Sequence, residues 1–210
     1  MHLTYLAMLA LAAAPSAKPP SAAGTAGKAA EERMQLAAYL ASHDVASAAE
    51  LGALSGAPGR PLMAIAADAR APTLVRARAV AALRLWPSAE ARSFLGRLVQ
   101  DHAKATDATQ RLLVRRAAVA LGWMAGAGVC AHLALLFDNQ DPEVRIDGAI
   151  GLGLTRAPEA PDLLRRQFVV ESVARVRDQI ERQLRALGQT PPDPEQAPPR
   201  KERPPMRSSF

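Results

Sequence analysis

Three features are scarce or missing in this 210-residue chain. It has a single cysteine, Cys130, so no disulfide can form within it. Only 4% of its residues are aromatic, which excludes a core built around large rings. No run of about 18 or more apolar residues occurs, which excludes a conventional transmembrane helix. The fold must therefore be stabilised by the packing of small side chains.

Alanine is the most common of the chain's apolar residues. Apolar residues make up 49% of the sequence, and 46 of them are alanine. Methyl side chains let helix backbones approach one another closely, and 17 prolines and 13 glycines are enough to separate several short helices. No alternating apolar pattern of strand length is present. The composition predicts an all-α protein.

The net charge is positive but modest. Of the 26 basic residues 22 are arginine, and the net charge is +6. Residues 31–187 carry 20 basic and 17 acidic side chains, a balance of +3. Because the two signs are interleaved, we interpret them as a solvated helix surface, which disfavours nucleic acid as the partner.

The N-terminal segment resembles a secretory signal peptide. Residues 3–14, LTYLAMLALAAA, form an apolar run that small residues follow, with Ala14 and Ser16 in a small-x-small arrangement. We predict a signal peptide over residues 1–16, a flexible linker over 17–30, and a periplasmic or secreted protein. Cleavage after Ala23, or a first amphipathic helix in a cytoplasmic protein, are the alternatives.

The C-terminal segment is rich in proline. Residues 188–210 hold seven of the 17 prolines. Proline removes backbone donors and cannot continue a helix, so a disordered tail is predicted there.

A repeat occupies the middle of the chain. The segments VRARAVAALR at 75–84, LVRRAAVALG at 113–122 and VRIDGAIGLG at 144–153 superimpose without gaps. Small residues recur at their fifth and eighth places and leucine at the ninth, on one side of a helix. A weaker copy starts at Val176 and a degenerate one at Val45. The apolar repeat positions are Val75, Leu83, Leu113, Leu121, Val144, Leu152, Val176 and Leu184.

Each copy is followed by a break and a second apolar segment, which indicates two helices per repeat. Ser88, Asp107, Asp141 and Ser172 are suitable N-caps, and Gly188 is suited to end the last helix. We expect Gly148, Ala149 and Gly151 to face a neighbouring helix.

Two helices per repeat near a 31-residue period, with DPEVRIDGAIGLG as the clearest copy, resemble the HEAT-repeat family, in its short bacterial phycobilisome-lyase-like form. The resemblance covers residues 31–187. It implies a right-handed α-solenoid of about five helix pairs. It also implies that Arg76, Arg115 and Arg145 are structural and pair with acidic groups of the adjacent repeat.

Nothing in the sequence predicts a catalytic or metal site. The four histidines are scattered, and no His-Glu dipeptide, Ser/His/Asp arrangement or glycine-rich phosphate loop stands out. No cofactor is expected. The aromatic residues recur at repeat spacing and are interpreted as core or packing residues: Trp86, Phe94, Trp123, Phe137 and Phe168.

The predicted function is that of a non-catalytic protein–protein interaction scaffold, as a monomer or within a larger complex. In the family that the chain resembles, second helices line the inner curve. Here they carry arginines with no repeated structural role, which are the predicted contacts to an unidentified protein: Arg92, Arg97, Arg165 and Arg166. The alternative is a lyase-type or nucleic-acid-processing enzyme on the same frame.

Overall fold

The computed structural model describes residues 22–43 and 46–192, and this part of the chain is helical without a strand, so the all-α prediction is confirmed. Short 3₁₀ turns follow α4 and α7, at Leu83–Leu85 and Leu135–Asp138. The helices are α1 (Ala22–Ser42), α2 (Ala48–Leu54), α3 (Gly59–Ala67), α4 (Thr73–Ala82), α5 (Ala89–His102), α6 (Ala108–Met124), α7 (Val129–Ala134), α8 (Pro142–Thr155), α9 (Ala160–Val170) and α10 (Ala174–Ala186).

All of these helices except α2 fall into two rows. In the first row, α1 contacts α4, α4 contacts α6, α6 contacts α8 and α8 contacts α10. The second row consists of α3, α5, α7 and α9, each of which packs against the first-row helix that follows it. One hydrophobic core runs through both rows, from Leu36 to Leu184. The packing therefore links each helix to its neighbours along the chain.

The repeat positions lie inside this core. Every one of them has a relative exposure of 5% or less: Val75, Leu83, Leu113, Leu121, Val144, Leu152, Val176 and Leu184. Because they recur at the same places in α6, α8, α10 and α4 with its 3₁₀ turn, the repeated sequence corresponds to the first row.

Small residues allow α6 and α8 to approach closely. A Cβ atom placed on Gly151 would lie 2.6 Å from the carbonyl oxygen of Ala118, and one on Gly122 would collide with the backbone of Gly151. Gly148 faces Leu136, and Ala149 is fully buried. Gly148 and Gly151 therefore face neighbouring elements, as expected from the repeat.

Three of the four predicted N-caps are present. Ser88, Asp107 and Asp141 accept hydrogen bonds from the backbone N–H groups of Ala91, Gln110 and Glu143, respectively, at 2.9–3.0 Å. The prediction for Ser172 is wrong. The residue before α10 is Val173, and its backbone N–H donates to the carboxylate of Glu171 at 2.9 Å.

The end of α10 follows its sequence signal. Gly188 has φ +71°, a left-handed conformation that glycine adopts without steric cost. The backbone N–H of Gln189 then donates to the carbonyl oxygen of Leu184. The described part of the chain thus has ten α-helices, with none in residues 189–192, and α10 packs against α9 of the second row.

The N-terminal predictions need two corrections. Helix α1 begins at Ala22, inside the predicted 17–30 linker, because alanine, Lys28 and the glutamates after it favour a helix. Residues 26–30 are nevertheless exposed. The copy predicted to start at Val45, which lies outside the described residues, gives only the seven-residue α2. Its place in the first row is taken by α1.

The predicted signal peptide at 1–16 and most of the predicted tail at 188–210, from residue 193 onward, lie outside the described residues.

Arginines connect successive units. Arg115 of α6 donates to Asp147 of α8 at 2.5 Å and to Glu143 at 3.3 Å. Arg175 of α10 reaches the same Glu143 at 2.5 Å. Arg145 pairs with Glu171 at the end of α9. Arg115 therefore binds acidic groups of the next unit as predicted, whereas Arg145 binds the end of the second helix of its own unit.

Arg76 differs from these two arginines. Its Nε donates to the carbonyl oxygen of Ala66 at 3.1 Å instead of a carboxylate. It therefore connects α4 to the preceding α3.

Candidate functional site

Arg92 and Arg97 both lie on α5 but differ in exposure. Arg92 is partly buried and borders a depression of about 190 Å³ between α5 and α7, with Ser93 and His132. Its side chain lies over Gly126, where a Cβ atom would be 3.6 Å from its Cδ and Nε. Arg97 is exposed and makes no hydrogen bond or ion pair within the described part of the chain.

Arg165 and Arg166 are neighbours on α9 with different roles. Arg165 donates to the Asp162 carboxylate at 3.1 Å and to the Gln189 side-chain oxygen at 2.5 Å. It therefore fastens the chain after α10 to α9. Arg166 is exposed, and its Nε reaches only the backbone oxygen of Asp162, at 3.3 Å. The structure thus leaves Arg166, and not Arg165, available to a partner.

The four predicted arginines do not converge on one site. Helices α5 and α9 belong to different units, and α7, which contacts α5, comes between them along the chain. What α9 does present is a small patch in which Arg166 precedes the exposed Val169 and Val170 by three and four residues. This spacing places the three side chains on one side of α9. We call these three residues the α9 patch.

One aromatic prediction is wrong. Phe168 is buried, and Trp86, Phe94 and Phe137 are partly buried against the core. Trp123, in contrast, is 60% exposed. Its neighbours on α6, Gly122 and Met124, take the buried sides of the helix, so the register turns Trp123 outward.

Cys130 is a packing residue. It is 3% exposed, and its Sγ lies 3.6 Å from the hydroxyl oxygen of Thr155. Burial raises the pKa of the Cys130 thiol, which keeps it protonated and unreactive. Among residues 22–43 and 46–192, no three histidine, cysteine or acidic side chains come close enough to hold a metal ion.

One concave feature was not predicted. A cleft of about 380 Å³ lies between the end of α1, α4 with its 3₁₀ turn, and α6. Its described lining contains three arginines, Arg78, Arg84 and Arg116, together with His43 and several aliphatic residues. We call it the α1–α4–α6 cleft. The sequence gives one signal for this cleft. Arg78 and Arg116 each follow a repeat arginine closely but are not themselves part of the repeat pattern.

Arg78 is held in the wall of this cleft. Its Nη1 donates to the carbonyl oxygens of Leu40 and Ala41, at 2.7 and 3.1 Å. These oxygens belong to the last turn of α1, where helix carbonyls lack intrahelical partners. Arg78 therefore caps α1 and fixes it against α4.

No protein-family model, curated protein or solved structure matches the chain. The resemblance to HEAT repeats therefore stays a prediction. Within the described residues, no helix has the length and apolar character that a membrane crossing requires.

Proposed function

We propose that this chain is a non-catalytic protein-binding scaffold whose helix pairs stack as a HEAT-type solenoid. The contacts of α4 with α6, α6 with α8 and α8 with α10 support this arrangement, because each unit buries its apolar side against the next. The ion pairs of Arg115 and Arg175 with Glu143 also cross from one unit to the next. A frame held in this way offers a partner a pre-formed surface.

The observation that carries the proposal is the α9 patch. Val170 is 66% exposed and Val169 is 40% exposed, at the end of α9. Arg166 beside them keeps its terminal guanidinium nitrogens unused within the described chain. Apolar side chains next to an arginine fork are typical of protein interfaces, since the fork binds a carboxylate in two-point geometry.

Arg97 extends this surface in the proposal. Like Arg166 it is exposed on a second-row helix. In a HEAT-type stack the second row lines one side of the solenoid, so α5 and α9 would face the same partner. Arg165, which is hydrogen-bonded within the fold, and Arg92, which is partly buried, would support this surface rather than form it.

The apolar run at residues 3–14 supports a location outside the cytoplasm for this activity. The partner is then a protein of the cell envelope or the surrounding medium.

The test is a binding measurement on a recovered partner. The full chain is used to capture proteins from the envelope of its own cells, and the captured partner is purified and titrated against variants. Arg166→Glu combined with Val170→Asp should weaken binding about tenfold or more, because it removes the carboxylate contact and places a charge in the apolar patch. The control variant is Arg70→Glu, which reverses the charge of an exposed arginine between α3 and α4, outside the α9 patch.

Equal affinity of the wild type and the α9 variant for that partner would contradict the proposal. Helical content and melting temperature should stay unchanged in both variants, because none of the three positions is buried.

A further inference from the structure

We propose that the α1–α4–α6 cleft binds an acidic segment of a partner protein that carries aliphatic side chains. The inference rests on the proposed function only in that the occupant is a protein. It concerns a different surface, formed by first-row helices, and the variants that test it are different.

The floor of the cleft is aliphatic. Its described lining includes Leu40, Ala77, Ala81, Leu85 and Leu112. Leu74 borders it and is 51% exposed, which is unusual for a leucine on a helix whose other side is fully packed. An exposed leucine at the edge of an apolar floor can pack against an aliphatic side chain of a ligand.

Among the described lining residues of the cleft, the charged side chains are all positive. Arg84 and Arg116 are exposed and make no hydrogen bond or ion pair within the described part of the chain. No carboxylate is among the described lining residues. The Asp147 carboxylate, which lies close enough to Arg116 to feel its charge, is already bound by Arg115 at 2.5 Å. Two arginine forks in such a setting complement carboxylates of a ligand.

The lining favours a peptide over a nucleic acid. Proteins that bind single-stranded nucleic acid stack bases on aromatic rings. The described lining has no phenylalanine, tyrosine or tryptophan, and its one ring, that of His43, is stacked on Tyr39 with the centroids 4.2 Å apart. Aliphatic residues between two arginines instead match glutamate or aspartate alternating with leucine or valine.

The experiment uses a fluorescently labelled synthetic peptide of alternating glutamate and leucine, titrated against the full chain and followed by fluorescence anisotropy. We expect saturable binding that weakens with added salt, because exposed charges are screened. Arg84→Glu with Arg116→Glu should reduce the affinity about tenfold or more. Leu74→Ala should reduce it by a smaller factor, since it removes only an apolar contact.

The matched control is Arg33→Glu with Arg70→Glu, at two exposed arginines, one on α1 and one between α3 and α4. It makes the same change in net charge at residues that do not line the cleft and should bind the peptide like the wild type. If both double variants lose the peptide equally, the attraction is non-specific and the cleft proposal is overturned. Unchanged binding by the Arg84/Arg116 variant overturns it as well.

Two further probes test the chemistry of the occupant. A peptide of alternating glutamate and serine should bind more weakly than the leucine peptide, and equal binding would contradict the role of the aliphatic floor. A labelled single-stranded oligonucleotide that bound more tightly than the peptide, and lost binding in the Arg84/Arg116 variant, would identify a nucleic-acid site instead.

The test of the proposed scaffold function is independent of these peptide titrations. If the cleft proposal fails, the Arg166→Glu, Val170→Asp variant should still bind the natural partner more weakly than the wild type does. If the proposed function fails, the peptide titration still reports on the cleft.

Discussion

At the scale of single residues, the most constrained group is the buried pair Arg145–Glu171. Arg145 is 9% exposed and Glu171 is 4% exposed. Two guanidinium nitrogens of Arg145 donate to the two carboxylate oxygens, at 2.8 and 2.9 Å, and a third donates to the backbone oxygen of Asn139 at 2.7 Å. Removing one partner from such a pair leaves a buried charge uncompensated.

Hydrogen bonds decide the ionisation of Glu171. Burial raises the pKa of this carboxyl, but the hydrogen bonds from Arg145, the Val173 backbone and the Gln167 amide outweigh burial, so its pKa is lowered. A carboxyl with a lower pKa in the folded state stabilises the fold when it is ionised. That contribution is fully present above the pKa of the unfolded chain and is lost as pH falls through the folded-state pKa.

Glu171→Gln should therefore destabilise the protein most near neutral pH. We expect the free energy of unfolding to fall by about 3–5 kcal/mol at about pH 7, the cost of breaking a buried ion pair. The difference from the wild type should shrink as pH falls through the lowered folded-state pKa of Glu171, where the wild-type carboxyl also becomes neutral. Urea denaturation at several pH values measures both effects, and a difference that does not change with pH would contradict the assignment.

Asp147 provides a control, because its pKa is shifted in the direction opposite to that of Glu171. Burial raises the pKa of Asp147, and the hydrogen bond from Arg115 offsets this only in part, so the folded-state pKa is above the usual value. Its contribution to stability is present at low pH and is lost as pH rises through the folded-state pKa. The difference between the wild type and Asp147→Asn should therefore move with pH in the opposite direction to that of Glu171→Gln.

At the scale of helices, the α6–α8 contact shows what the sequence predicts well. The repeat placed small residues at the fifth and eighth positions, and in α8 these are Gly148 and Gly151, both buried against neighbouring residues. A three- or four-residue periodicity identifies the side of a helix that is buried, and glycine there indicates a close approach. The partner helix follows from the order of the repeats.

Gly151→Ala should test this contact. The new Cβ atom would lie 2.6 Å from the backbone oxygen of Ala118, so α6 and α8 must move apart, at a cost of about 1–3 kcal/mol. Gly52→Ala in α2 is the matched control, because nothing lies within 4 Å of its new Cβ. Alanine there should stabilise the helix by up to about 1 kcal/mol. Two chemical denaturation curves decide the matter, and equal midpoints for both variants would show that α6 and α8 are not in close contact.

The helices at the N-terminal end show where sequence reasoning fails. Val45 starts a segment with apolar spacing close to that of the repeat, but Gly52 and the Ser55–Gly56 break limit it to the short α2. Helix α1 lacks the repeat signature, and yet Leu36 and Leu40 are fully buried. The terminal unit of an array packs on one side only, so its sequence needs fewer of the repeated residues.

At the scale of the whole molecule, the sequence identified candidate arginines but not the surfaces they form. Whether an arginine is available depends on contacts from distant segments, such as the Gln189 side chain that holds Arg165. The α1–α4–α6 cleft likewise needs Leu40, Arg78 and Leu112 from three helices. No local periodicity encodes these distances, so sequence spacing alone predicted neither the role of Arg165 nor the cleft.

Export is the last property to be tested on the whole molecule, through the position of the mature N-terminus. If residues 1–16 are a signal peptide, N-terminal sequencing of periplasmic or secreted material should give a start between Ala17 and Gly24. Of the two sites, cleavage after Ser16 leaves α1 whole, whereas cleavage after Ala23 removes its first two residues. We therefore expect Ala17 as the first residue. Ser16→Phe should prevent this cleavage, because the peptidase requires a small side chain there, and a cytosolic protein that keeps Met1 would refute export.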